Sequence, residues 1–182
     1  MNLIRTTLVT TTLFMSLSIF TAHHESISIG DVEMNEVEHS EAFKQMSKMI
    51  GKWEGKLTQY TGSVIDTSSE FRMVSGGNTI TESLVEDGVE MLTTYTDQNG
   101  KLVVKHYCAL GTEPIFKVSQ ASGNVLAIDL DNRSDFNPEV QSFVTDMKWT
   151  TDPENPNIMI FENSVHLDGE LTNNRAEIRK IN

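Results

Sequence analysis

Glu82 and His106 are the two residues whose types and positions best suit chemistry in this chain. A carboxylate beside an imidazole, shielded from water, has the displaced pKa that general acid–base work needs. The same pair can form a self-satisfied polar network, because buried polar groups must find partners in any case. His106 and Cys108 lie two residues apart, so on a strand they share a face at a separation of about 7 Å. With Glu82 they make a permissive set of ligands for a metal or a haem iron. No second histidine stands at ligand spacing, and a lone cysteine on an apolar face is ordinarily a small core residue, so no metal or other cofactor is expected. Asp129, Asp131, Asn132 and Asp135 bring oxygens together but lack the glycine and closing glutamate of a calcium loop, which predicts a solvated turn. No Gly-x-Ser-x-Gly run marks a nucleophile.

Whether these groups meet depends on the strands that carry them. After Gly51 the hydrophobic period shifts from helical to two, in short runs rich in Thr, Val, Ile, Phe and Tyr. Turn signals separate the runs at Thr61-Gly62, Gly76-Gly77-Asn78, Asp87-Gly88, Asn99-Gly100, Gly111 to Pro114, Ser122-Gly123-Asn124, Asn132 to Pro138, Asp152 to Pro156 and Asp168-Gly169. About ten antiparallel strands result. Closing into an up-and-down barrel hides their edges, with a sandwich as the alternative. The expected fold is therefore all-β, an up-and-down antiparallel barrel of about ten strands, preceded by one short helix. Ser40 can cap that helix, Phe43, Met46 and Ile50 share one of its faces, and Gly51 is expected to end it.

Tight turns fix register, and register fixes the direction of each side chain. A two-residue turn at Asp87-Gly88 pairs Glu82 with Thr93 and Ile80 with Tyr95. At Asn99-Gly100, a two-residue turn pairs Thr93 with His106 and a four-residue loop pairs it with Val104; the face is the same. A Gly76-Gly77 turn sets Phe71 opposite Glu82 and Met73 opposite Ile80. The shared face, mostly apolar, carries Phe71, Met73, Ile80, Glu82, Leu84, Met91, Thr93, Tyr95, Leu102, Val104, His106 and Cys108, whereas Glu70, Arg72, Glu90 and Lys105 occupy the other. The first face is the expected interior. Glu82 and His106 then point inward from strands separated by one other, about 10 Å apart, with Thr93 between them.

The first 22 residues resemble a secretory leader, with Arg5 followed by an uncharged, mostly apolar stretch from Leu8 to Ala22. That stretch is diluted by Thr10, Thr11 and Thr12 and is short for a membrane span, so no stable membrane anchor is expected. The organisation expected is a signal peptide over 1–22, an acidic flexible segment over 23–39 and one barrel domain over 40–182. A net charge of −12 argues against nucleic acid and anionic lipid as partners. Cys108 is the only cysteine, so the fold must be held by its core.

Gly51-Lys52-Trp53-Glu54-Gly55 resembles the Gly-x-Trp opening of lipocalin-like barrels. With Glu82, Glu90-Met91, Tyr95, Leu102, the run His106-Tyr107-Cys108-Ala109-Leu110-Gly111 and Pro114, it resembles a family of small exported bacterial lipocalin-like proteins of unknown function. The likeness covers about residues 45 to 118. Members often carry Asn-Gln after that glycine and histidines in a later strand, where Thr112-Glu113 and a histidine-free stretch from Ser142 to Trp149 stand here. No established activity comes with the family.

The expected function is an exported, periplasmic or secreted, barrel that binds a small amphipathic or hydrophobic ligand, with Trp53, Phe71, Met73, Met91, Tyr95, His106 and Cys108 around it. The alternatives are an enzyme using Glu82 and His106 as a catalytic acid–base pair, or a metal- or haem-binding barrel.

Overall fold

In the computed structural model, residues 27–34 and 37–181 are described. The leader-like stretch over 1–22 lies outside them. The chain divides into two units at Asn35/Glu36. In the first, β1 (Ser28–Ile29) and β2 (Val32–Glu33) form a small hairpin closed by the Met34 N–H donating to the Ile27 carbonyl at 2.7 Å. Its strand side chains are exposed.

Turn chemistry shapes the second unit. A short helix, α1 (Glu41–Ser47), is followed by β3 (Gly51–Thr58), β4 (Val64–Val74), β5 (Thr79–Glu86), β6 (Val89–Gln98), β7 (Lys101–Tyr107), β8 (Ile115–Ser122), β9 (Val125–Leu130), β10 (Phe143–Thr151), β11 (Ile158–Leu167) and β12 (Glu170–Ile181). Each strand pairs antiparallel with its neighbours in sequence, and β12 pairs with β3, closing a barrel of ten strands. Every strand connection falls on one of the turn signals. Asp87-Gly88, Asn99-Gly100 and Asp168-Gly169 have positive φ at both positions, the left-handed geometry that matches the twist of a two-residue hairpin. Register is as expected, with Glu82 opposite Thr93, Phe71 opposite Glu82 and Met73 opposite Ile80. At Asn99-Gly100 the two-residue turn is realised and the four-residue loop is not, since Gln98 pairs Lys101 and Thr93 pairs His106.

The closing seam depends on one glycine. A Cβ on Gly55 would lie 2.0 Å from the carbonyl oxygen of Glu177 on β12, so β3 and β12 could not approach with any other residue there.

The helix begins as expected, the Ser40 hydroxyl accepting from the Phe43 N–H at 3.2 Å, but it stops at Ser47 with Lys48 still right-handed. Gly51, at φ +126°, opens β3 and does not cap the helix. Seven residues already bury Ala42, Phe43 and Met46 over the barrel end, and Trp53 pins the link from helix to strand by donating its indole N–H to the Met49 carbonyl at 2.7 Å. Asp97, at the end of β6, clasps the start of α1, accepting from the Ser40 amide at 2.6 Å and the Ser40 hydroxyl at 2.7 Å.

Candidate functional site

Residues of one strand that alternate inward are spaced about 7 Å along that strand. On β5 these are Ile80, Glu82, Leu84 and Glu86, and they mark three levels of the interior. At the helix-capped end, Ile80, Phe71, Trp53 and Trp149 are buried among Phe43 and Met46, with the Tyr95 ring 6.1 Å from that of Trp149 in an edge-on arrangement.

The middle level is polar. Glu82 is 3% exposed and accepts two hydrogen bonds, from the Ser69 hydroxyl at 2.7 Å and from the Tyr95 hydroxyl at 2.5 Å. Burial raises its pKa, and the Tyr95, Ser69 and Thr93 hydroxyls pull it back in part. Tyr95 is held well above its ordinary range, first by burial and then by the adjacent carboxylate. His106 bonds through Nδ1 to the Thr93 hydroxyl at 2.9 Å, and burial pushes its imidazole down to about 4, so it is neutral at pH 7. Thr93, whose hydroxyl also acts on the Glu82 carboxyl, therefore stands between His106 and Glu82. No hydrogen bond joins them, because the carboxyl oxygens are turned toward β4 and toward Tyr95 on β6.

The third level is a cavity of about 310 Å³ at the end opposite the helix. Its walls include Ile65, Leu84, Met91, Val144, Met147, Val165 and Leu167, and its polar lining includes Tyr60, Glu86, His106, Asn163, Thr172 and Asn174. Glu86 Oε1 is buried and has no hydrogen-bond partner among the described residues. Burial, and then the charge of Glu82, raise its pKa.

The structure brings together only part of the expected ligand-binding set. Met91, His106 and Cys108 line the cavity. Trp53, Phe71 and Tyr95 are packed into the core and do not line it. Met73 keeps its expected register but is 37% exposed, a correction to its interior assignment; it sits next to the turn at Ser75–Gly77, while α1 packs mainly on the ends of β6 to β9. Sequence reasoning missed Glu86, although it shares the parity of Glu82 and Leu84 on β5, a signal that could have found it. It also missed Met147, Asn163 and Val165, on strands whose faces a bulge obscures.

Among the described residues, no group of three or more His, Cys, Asp or Glu side chains is gathered as a metal would require. Cys108 is half-buried at the mouth, and its thiol pKa is raised chiefly by burial. In the acidic loop, Asp131 is taken up by Arg133, whose Nε donates to it at 2.9 Å, and Asp129 accepts from Ser119 at 2.9 Å.

No protein-family model matches the chain, and no curated protein matches it. Among solved structures it is similar to a protein of unknown function from the DUF3598 family of Nostoc punctiforme PCC 73102, at 8% identity and a TM-score of 0.54, over 75% of this chain and 49% of that one. The chain thus spans about half the length of that protein. It is also similar to EF1p2_mFAP2b, solved bound to DFHBI, at 12% identity and a TM-score of 0.39, covering 77% of this chain and 99% of that one. A redesigned β-barrel gives 13% identity and a TM-score of 0.39, covering 80% of this chain and all of the other. The likeness to the Nostoc protein is one of fold alone and brings no activity with it.

Proposed function

We propose that this is an exported barrel protein that holds a small amphipathic or hydrophobic molecule in the open end of its interior. The observation that carries the reading is the cavity of about 310 Å³, apolar on its walls with a few convergent polar groups, which is the usual make-up of a small-molecule site. Its size suits a compact ligand. The leader-like stretch over 1–22 supports export, followed by an acidic segment and a barrel domain that begins near residue 40. The His106-Tyr107-Cys108 run with Gly111 and Pro114 supports kinship with exported lipocalin-like proteins.

An acid–base enzyme is the weaker reading. Both oxygens of Glu82 are already engaged, and Glu82 does not line the cavity.

Titration with the neutral, solvent-sensitive dye Nile red tests the interior site. Binding should appear as a blue-shifted emission and be lost in Met91→Trp, which fills the mouth beside Leu84. Dye binding unaffected by Met91→Trp would overturn the interior site. For export, mass and N-terminal sequence of the protein taken from its native cells should show the leader removed; an intact N-terminus would overturn that part.

A further inference from the structure

The acidic side chains of the cavity lining have no basic partner there. Glu86 and Asp87 contribute carboxyl groups, His106 is neutral because of its burial, and no lysine or arginine among the described residues lines the space. Glu86 is the residue that this arrangement leaves unexplained. It is on the inward parity of β5, its Oε1 is buried without a partner, and it lies one step outward from Leu84, at the boundary between the apolar wall and the rim. Glu86 as a whole is half-buried, but a buried polar atom without a partner costs free energy, and each one in a native structure calls for an explanation such as a bound water, ion or ligand.

We infer that the cavity takes a cationic amphiphile, a molecule with an ammonium group that pairs with Glu86 and a short apolar body that lies against Leu84, Met91, Met147 and Val165. The inference rests on the reading of the barrel as an interior binding protein and names the ligand class of that site. An ammonium group would supply the missing hydrogen bonds and the missing opposite charge together. An alcohol could donate a hydrogen bond but would leave the carboxylate charge uncompensated. A ligand carboxylate would add a third negative group beside Glu86 and Asp87 and within the field of Glu82, which already acts on Glu86. Field lines from these groups are focused by the low-dielectric walls, and the net charge of −12 steers cations to the molecule.

The experiment compares n-octylamine, 1-octanol and octanoate, three probes with one apolar body and three head groups, by isothermal titration calorimetry at pH 7 on the protein as its own cells process it. Octylamine should bind at least about tenfold more tightly than octanol, with octanoate the weakest. Glu86→Gln keeps the side-chain volume and removes the charge, and it should reduce octylamine affinity by about tenfold while leaving octanol unchanged. Glu90→Gln removes the same charge from the exposed outer face of the adjoining strand and should leave octylamine binding as it was. Equal binding of amine and alcohol, or octylamine affinity that survives Glu86→Gln, would overturn the cationic ligand class while leaving interior binding standing. An equal loss in Glu90→Gln would show a diffuse surface attraction and would also overturn it. If none of the three probes binds and Nile red does not bind either, the interior-binding reading itself fails.

Discussion

The two ends of this barrel are built from the same alternating strands and differ in what stops them. At one end α1 lies over β6 to β9, and Phe43, Met46 and Met49 fill the opening beside Trp53. At the other end no helix is placed among the described residues, Glu86 and Asp87 beside the turn at Asp87-Gly88 bring carboxyl groups to the lining, and the interior remains a cavity walled by Leu84, Met91 and Val165. One end is thus organised for stability and the other for access. The polar layer of Glu82, Tyr95, Ser69, Thr93 and His106 lies between them, fully inside and hydrogen-bonded. Polar groups deep in the barrel find their partners within it, whereas at the open end Glu86 Oε1 is left without one among the described residues.

That contrast sets the order of the expected effects. Phe43→Ala, at 1% exposure on the buried face of the helix, should cost about 3–5 kcal/mol in denaturant unfolding, and a cost near that of an open-end truncation would show that the helix is not the stabilising plug. Next in size is the pH response of the polar layer. His106 is held at about 4 in the folded protein against an ordinary 6.5, so between those values the unfolded chain binds more protons. The stability this group contributes is complete above about 6.5 and is lost as pH falls to about 4, by a few kcal/mol at most. His106→Asn, whose amide can donate to or accept from the Thr93 hydroxyl, should flatten the pH dependence in that window. Glu82 and Glu86 act in the opposite sense: their raised folded pKa values make their contribution complete below the ordinary carboxylate range and lost as pH rises through the folded values. Thermal melts of wild type and His106→Asn from pH 4 to 8 separate the two signs.

Within the same layer, Tyr95→Phe removes the donor to Glu82 Oε2 and should cost about 1–3 kcal/mol. A double-mutant cycle with Glu82→Gln should show coupling of at least about 0.5 kcal/mol, and the corresponding cycle with His106→Asn a smaller one, since no hydrogen bond joins Glu82 to His106. Equal coupling in the two cycles would merge the two hydrogen-bonded groups into one network. At the open end, Met91→Ala should cost only about 1 kcal/mol, because Met91 is half-buried and already borders a cavity. The smallest effect concerns Cys108. Its thiol should react more slowly with a maleimide in the native than in the denatured protein, and more slowly again with the cavity occupied by Nile red. Native labelling as fast as denatured labelling would place it outside the mouth.

How much of this was legible depended on how the register could be counted. From Phe71 to Cys108 three tight turns in succession carry the parity of side chains from strand to strand, and eleven of the twelve residues assigned to the inner face from sequence are buried or half-buried, Met73 alone being exposed. Beyond Pro114 the count breaks. Register shifts between Val118 and Gln120 on β8 and between Val144 and Asp146 on β10, and a one-residue shift reverses every inward side chain after it. A long connection from Asp131 to Ser142 separates them, and no local signal in the sequence marks a bulge. For that reason Met147, Asn163 and Val165 could not be placed in the cavity wall from sequence, and neither could His166, whose ring lies 5.5 Å from that of Phe143.

Local chemistry therefore determined the class of this protein. Left-handed turn pairs, two-residue periodicity and a capped helix are short-range properties, and they are sufficient to specify an up-and-down all-β meander with an inward-facing Glu82 and His106. The closing of the ring, the choice of which end is plugged and the partners of the buried groups were decided by tertiary structure. Contact between β3 and β12 joins residues more than a hundred positions apart, across Gly55, and the seven-residue helix covers one end only. Glu82 was expected to meet His106 across Thr93, and Thr93 does stand between them, but the two carboxyl oxygens also take hydrogen bonds from Ser69 and Tyr95. Hydrogen bonds are satisfied by whichever donor the packed strands bring within reach, and that depends on twist and closure, which do not exist until the barrel has formed.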